Sequence, residues 1–155
     1  VAMELSVNIE DARQTEVEAL LRLSDQVAEA LYPGAYRRPL NPQTLSAPHI
    51  SLFVARTGDR IAAGCCALFD NDDGTAEMKR MIVDPRFRQS GVGQALLQAV
   101  EATASLRGMD RLLMEVGTRN TDGQALYLRA GYTQRGPFGS YQPSPISLFF
   151  EKVIG

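Results

Sequence analysis

Arg88-Gln89-Ser90-Gly91-Val92-Gly93-Gln94-Ala95-Leu96-Leu97 is the stretch on which the fold turns. An apolar run, Met81-Ile82-Val83, and a turn, Asp84-Pro85, precede it, and a helical pattern follows. An arginine, two glycines and a helix start together suit a doubly charged phosphate. The first N–H groups of a helix lack internal partners, and the helix dipole places positive potential there. Glycine has no Cβ to keep an anion from the backbone. The plainer alternative is a glycine-softened helix start with Arg88 solvated, but the strand-before, helix-after setting is the one a phosphate-binding turn requires. The stretch lacks the G-K-[ST] ending of a nucleotide-triphosphate loop and is not G-x-G-x-x-G, so neither ATP nor NAD is its natural guest.

Outward from this turn, the chain reads as strands that first pair locally and then alternate with helices. Residues 5–9 alternate weakly as a first strand. Thr15-Glu16-Val17-Glu18 matches a capping box, with Thr15 as N-cap, and Val17, Leu20, Leu21, Val27, Ala28 and Leu31 then share a helical face that Tyr32-Pro33-Gly34 ends. Residues 35–48, with three prolines, read as an irregular loop or broken helix. Strands at 50–56 and 61–69 flank Thr57-Gly58-Asp59-Arg60 as a hairpin, and a third runs from 76 to 83 after a polar turn. A long helix over 92–107 carries Val92, Leu96, Ala99, Val100, Thr103 and Leu106 on one side and stops at Gly108. A strand at 111–116, a short helix at 122–130 closed by Gly131, and strands at 132–134 and 147–152 complete the pattern. The class is α/β, or α+β, with a mixed sheet.

Composition narrows the function. One domain spanning residues 1–155 is the simplest organisation, and 45% hydrophobic with 22% charged residues is ordinary for a globular protein. A net charge of −2 argues against nucleic acid as a main partner, although Lys79-Arg80 and Arg86/Arg88 form basic clusters beside the phosphate turn. The apolar runs at 61–69 and 146–150 are too short to cross a bilayer, so no membrane partner is expected. Val1-Ala2-Met3 shows no secretory signal and resembles a tag scar. Cys65 and Cys66 are adjacent in a strand, so their thiols should face opposite sides of a sheet, and a cytoplasmic location is expected. With one histidine, His49, and no spaced cysteine pair, no metal is expected.

Three segments in the right order resemble the GNAT superfamily of N-acetyltransferases, in its branch of small bacterial enzymes. Residues 77–85 are similar to its central strand, and 88–93 to its pyrophosphate loop. Asn120-Thr121-Asp122-Gly123-Gln124-Ala125-Leu126-Tyr127 with Ala130-Gly131-Tyr132 is similar to its N-x-x-A-x-x-L-Y…G-[FY] segment. The resemblance implies a mixed, mostly antiparallel central sheet with flanking helices and an acetyl-CoA site between two central strands. It implies direct acetyl transfer from acetyl-CoA to an amine. The backbone of Met81, Ile82 and Val83 would pair with the pantetheine arm. The Arg88 side chain and the backbone of Gln89, Ser90, Gly91, Val92, Gly93 and Gln94 would hold the pyrophosphate, and Asn120 would contact the pantetheine region. Two departures stand out: Gln89 and Ser90 replace a more usual glycine and basic residue, and Gly123 replaces alanine, which weakens its helix by up to about 1 kcal/mol.

Amide formation from a thioester needs a neutral amine, a stabilised oxyanion and a protonated leaving thiolate. The resemblance assigns the acid to Tyr127, whose phenol stays protonated at neutral pH; the alternative is a tyrosine packed beneath the cofactor. Glu77 is the expected base, since the histone-acetylating branch carries its carboxylate at that strand position. Strand alternation would place Glu77, Lys79, Met81 and Val83 on one face and Met78, Arg80 and Ile82 on the other. Glu77 could equally serve as an ion-pair partner, with Glu115 the reserve carboxylate. A backbone N–H near Met81 or Ile82 would serve the oxyanion. Tyr32, Tyr36, Phe138 and Tyr141 could line the acceptor pocket, with Arg37 or Arg38 meeting an acidic group; the alternative is that the aromatics cover loop backbone and the arginines are solvated. The leading expectation is a small-molecule amine acceptor, beside two alternatives: a protein lysine or N-terminus, and a non-catalytic acyl-CoA-binding module. The resemblance also brings with it homodimers through the last strands or helices.

Overall fold

The computed structural model describes residues 4–34 and 41–155. Seven strands form one sheet in the order β1-β2-β3-β4-β5-β7-β6: β1 Leu5–Ile9, β2 Ile50–Thr57, β3 Ala62–Asp70, β4 Thr75–Val83, β5 Arg111–Gly117, β6 Thr133–Arg135 and β7 Ser147–Val153. Every neighbouring pair is antiparallel except β4 and β5. The expected mixed, mostly antiparallel sheet is therefore what forms. Among the described residues three α-helices flank it: α1 Thr15–Leu31, α2 Val92–Leu106 and α3 Thr121–Arg129.

Each face of the sheet has its own core. On one, Phe53, Cys66, Leu68, Ala76 and Met78 pack against Val92, Leu96, Leu97, Val100 and Ala104 of α2 and Tyr127 of α3. On the other, Leu52, Val54, Cys65, Ala67 and Ile82 pack against Val17, Leu20 and Leu21 of α1. Cys65 and Cys66 thus enter opposite cores, as period-two alternation requires, and both thiols are free. Each fully buried leucine or valine contributes about 1.5–3 kcal/mol.

Three expectations about local structure need correction. Thr15 is already inside α1, so the capping box does not form: Gln14 is the N-cap, without a side-chain cap. The Gln14 amide instead donates to Glu10 and to the Asp11 carbonyl. Glu16 is drawn off to Arg56, at 3.0 Å. Leu106 does not join the buried face of α2: as its last residue, off the arc centred on Val100, it is 89% exposed. The third correction concerns β4 and belongs to the site.

Arg56 ties the start of the chain to β2. Buried itself, it donates to both Glu10 oxygens at 2.9 Å, to Glu16 and Gln14 at 3.0 Å, and to the Arg60 carbonyl at 2.8 Å. The guanidinium holds the carboxyls of Glu10 and Glu16 below their usual range, chiefly by hydrogen bonding. Among the described residues no helix is long and apolar enough to cross a membrane.

Candidate active site

The site begins where the sheet comes apart. β4 and β5 pair only from Thr75, Ala76 and Glu77 to Arg111, Leu112 and Leu113, yet β4 runs on to Val83 and β5 to Gly117. Past Glu77 the two strands diverge, and the facing edge of β4 is left without that partner. A β-bulge accompanies the divergence. Cys65 faces Ile82 and Ala67 faces Lys79, so β4 carries one residue more than β3 between these pairs. Arg80 absorbs it at φ +59°.

An extra residue reverses the alternation, and this overturns the expected grouping. Ala76 and Met78 before the bulge and Met81 and Val83 after it share the α2 face. Ile82 lies in the α1 core, and Arg80 reaches Asp25 of α1 at 2.6 Å. Glu77 and Lys79 lie on that α1 side, opposite Met81 and Val83. Gly64 on β3 makes room for the bulge: a Cβ there would stand 2.7 Å from the Ile82 carbonyl oxygen and 2.9 Å from Val92 Cγ1.

At the far end of β4, the Asp84 carboxylate caps the turn Pro85–Phe87 and pairs with Arg86 at 3.0 Å. Arg88 is exposed and makes no ion pair among the described residues. Gln89 at φ +60° and Gly91 at φ +84° then swing the chain into α2, whose N-cap is Gly91 with no side-chain cap. The first intrahelical bond here runs from Ala95 N–H to the Gly91 carbonyl at 2.9 Å. The N–H groups of Val92, Gly93 and Gln94 therefore precede the helix's own ladder, and the Ser90 hydroxyl turns back to the Arg88 carbonyl at 3.4 Å. Gly93 lets α3 approach, since a Cβ there would meet Leu126 Cδ2 at 3.0 Å.

α3 starts at Asn120, whose side-chain oxygen accepts the Gly123 N–H at 3.0 Å. A Cβ on Gly123 would stand 2.8 Å from the Asn120 amide nitrogen, so the glycine is the space in which the cap lies. One turn further, Tyr127 enters the core with its ring 6.0 Å from Tyr132 and 6.3 Å from Phe150. Tyr132 donates to Glu101 at 2.8 Å, whereas the Tyr127 hydroxyl has no hydrogen-bond partner among the described residues. Every fully buried side-chain polar atom described is partnered, so the Tyr127 oxygen must reach accessible space. Burial, with Cys66 and Glu115 nearby, raises its pKa well above the ordinary phenol.

The α1 side of the split carries the carboxylates. Glu77 is only 8% exposed, and burial raises its pKa above the usual carboxylate range. Tyr141 donates to its Oε2 at 2.6 Å and Lys79 Nζ lies 3.9 Å from the same oxygen, both opposing that rise. Glu115 accepts from the Ser147 hydroxyl at 2.6 Å. Phe138, Tyr141 and Phe149 stack edge to face over Leu113, and the Lys79 ammonium sits 5.0 Å from the Phe69 ring.

Glu77 and Tyr141 are thus brought together, while Tyr32 is placed elsewhere. It is buried at the end of α1, where its hydroxyl accepts the Arg119 N–H at 2.6 Å and its ring lies against Gly117. It therefore docks α1 on the turn between β5 and α3. Tyr36, Arg37 and Arg38 lie outside the described residues.

The acetyltransferase (GNAT) family model matches residues 15–132. An IAA acetyltransferase from Azospirillum brasilense is 39% identical over 146 residues, spanning 94% of this chain and 95% of the relative. The chain belongs to the GNAT acetyltransferase family. A solved Klebsiella pneumoniae structure assigned as an acyl-CoA N-acyltransferase is similar at 32% identity and TM-score 0.83, covering 97% of this chain and 98% of that one. The PaiA N-acetyltransferase of Thermoplasma acidophilum, solved with coenzyme A, shares the fold at 18% identity and TM-score 0.74, over 97% of this chain and 99% of its own.

Sequence reading missed several residues that shape this acetyltransferase's site. Ser147 on Glu115 and Gly117 beneath Tyr32 carried no local signal, because their partners lie 32 and 85 residues away in the chain. Gly64 was legible only as a glycine inside a strand, a mark of close backbone approach.

Proposed function

We propose that this GNAT enzyme transfers an acetyl group directly from acetyl-CoA to the amine of a small molecule. The observation that carries the acceptor class is the cover over Glu77: the segment between β6 and β7 folds Phe138 and Tyr141 down onto the α1 side of the split. That cover suits a small acceptor better than a folded protein surface. The Azospirillum relative supports the same choice, since its name gives it IAA rather than a protein to act on.

The chain fits the donor. The uncapped start of α2, the left-handed Gly91 with no atom within 4 Å of a notional Cβ, and the exposed Arg88, unpaired among the described residues, suit a pyrophosphate. The diverging edge of β4 suits an extended amide-bearing arm. Met81, Ile82 and Val83 would pair with that arm, Arg88 and the backbone from Gln89 to Gln94 would hold the phosphates, and the free amide hydrogens of Asn120 would face the arm. Bound acetyl-CoA supplies an activated acetyl thioester.

The remaining work falls to side chains. A primary amine with pKa of about 10.4 costs roughly 4–5 kcal/mol to present neutral at pH 7. Glu77, with its raised proton affinity, is the group that takes that proton, directly or through one water. Tyr127 holds its hydroxyl proton throughout the neutral range and offers it to the departing sulfur.

Thiol release from acetyl-CoA, followed across a panel of amines, peptides and proteins, tests the reading. Turnover with one small-amine class, reduced about 10²–10⁴-fold by Glu77→Gln and by Tyr127→Phe, is expected. Turnover only with peptides or proteins would overturn the acceptor class. Donor binding without any turnover would leave an acyl-CoA-binding module.

A further inference from the structure

We propose that Tyr141 is a positioning residue for Glu77: its hydroxyl ties up one carboxylate oxygen and leaves the other as the atom that receives the acceptor's proton. This rests on the reading of Glu77 as the base. Tyr141 Oη donates to Oε2 at 2.6 Å, and Lys79 Nζ approaches that same oxygen at 3.9 Å. Oε1 has no hydrogen-bond partner among the described residues. The Tyr141 hydrogen bond therefore fixes the carboxylate from one side, with Lys79 as a longer-range charge beside the same oxygen, and the proton-accepting oxygen is defined by elimination.

Tyr141 is itself held firmly enough for this task. Its N–H donates to the Phe138 carbonyl at 3.1 Å, closing a turn that Gly139 permits at φ +57°. Its ring lies 5.0 Å from Phe138 and 5.3 Å from Phe149, with the Lys79 ammonium 5.8 Å from its centre. The hydroxyl is fixed by aromatic packing from two elements, and its own proton is retained because burial and the Glu77 carboxylate both disfavour the phenolate.

The charged groups around Glu77 act in opposite directions. Burial and the Glu115 carboxylate on β5 raise its proton affinity; the Tyr141 hydrogen bond and Lys79 on β4 lower it. Tyr141 thus sets both the aim of the base and the pH at which it becomes competent. Removing the hydroxyl while keeping the ring separates these effects from packing.

The test compares pH profiles of kcat/KM for the wild type, Tyr141→Phe, Glu77→Gln and the double variant, using the acceptor found by the amine panel. Tyr141→Phe should move the acid limb to higher pH and cost about tenfold on the acid side of neutrality, with the KM for acetyl-CoA unchanged. In the Glu77→Gln background it should cost nothing more. A profile that merely scales down, or losses that multiply in the double variant, would overturn the proposal while leaving Glu77 as the base. Wild-type rate and profile in Glu77→Gln would instead remove the base reading itself. Carboxyl 13C titration of the protein alone, with the Glu77 signal assigned by its loss in Glu77→Gln, gives a readout independent of acceptor. The midpoint should rise in Tyr141→Phe, and an unmoved midpoint overturns the proposal.

Discussion

Gly64→Ala sets two effects of opposite sign against each other. Alanine in a strand interior is ordinarily better than glycine by about 0.5–1 kcal/mol, because glycine loses more backbone freedom on folding. The structure reverses that expectation. The new methyl would stand 2.7 Å from the Ile82 carbonyl oxygen, 2.9 Å from Val92 Cγ1 and 3.3 Å from Leu96 Cδ1. A comfortable carbon–oxygen contact is about 3.3–3.6 Å, so β4 must retreat by more than half an ångström or α2 must lift. The obstructing oxygen is backbone, at the bulge, with no rotamer to escape into. Overpacking of this kind costs about 1–3 kcal/mol, which outweighs the entropic gain and leaves a net loss of about 1–2 kcal/mol. For a chain of this size that lowers Tm by about 2–8 °C. The same displacement moves the Ile82–Val83 backbone and the start of α2 together, so affinity for coenzyme A should fall with stability. Urea unfolding and calorimetric titration with coenzyme A read the two effects separately. A variant as stable as the parent, or more so, would show that the bulge is not held by the missing Cβ.

Three further outcomes follow from particular residues. Gln89 sits at φ +60°, where an L side chain costs about 1–2 kcal/mol, so Gln89→Gly should stabilise by about 0.5–1 kcal/mol after the entropy of the unfolded chain is counted; a lower Tm would contradict that. Arg56→Met should cost about 2–3 kcal/mol, below the range for fully buried pairs because Glu16 is half exposed, and urea midpoints check it. Glu10 and Glu16 have lowered folded pKa values, so their pairing stabilises above the ordinary carboxylate pKa and is lost as pH falls below it; the acid limb of stability should flatten in Arg56→Met. Glu77 has the opposite sign. Its raised folded pKa means that stability falls as pH rises from the unfolded to the folded value, so Glu77→Gln should melt higher than the wild type at neutral pH, and an equal or lower Tm would count against a strained base.

What was legible beforehand is what short-range periodicity encodes. The strand–turn–helix around residues 81–97, the hairpin of β2 and β3, and the opposed thiols of Cys65 and Cys66 all follow from spacing within about ten residues. What was not legible depends on interruptions of period or on distant partners. Arg80 illustrates the first. Nothing in Met78-Lys79-Arg80-Met81 marks an added residue, because both faces of β4 there carry apolar and basic side chains alike. A period-two count therefore runs straight through the bulge and reverses every assignment beyond it. Gln14 illustrates the second: it takes the cap position from Thr15 because Arg56 on β2 and Glu10, just past β1, anchor its amide.

The bulge is also where fold and chemistry meet. Without it, Glu77 and Met81 would share one face of β4, and Met81 and Val83 would turn out of the α2 core toward α1. With it, Met81 and Val83 keep their side chains in the α2 core while Glu77, Lys79 and Arg80 face α1 and the Tyr141 cover. The unpaired edge of β4 runs between the two faces. A donor laid along that edge would have Tyr127 reaching it from the α2 side and Glu77 from the α1 side. The acid and the base of the proposed transfer would then lie on opposite sides of the reacting bond, one toward the departing sulfur and the other toward the incoming amine. Alternation before the bulge sets Glu77 opposite Ala76 and Met78, and the one inserted residue, tolerated because Gly64 has no side chain, returns Met81 and Val83 to the α2 core beyond it.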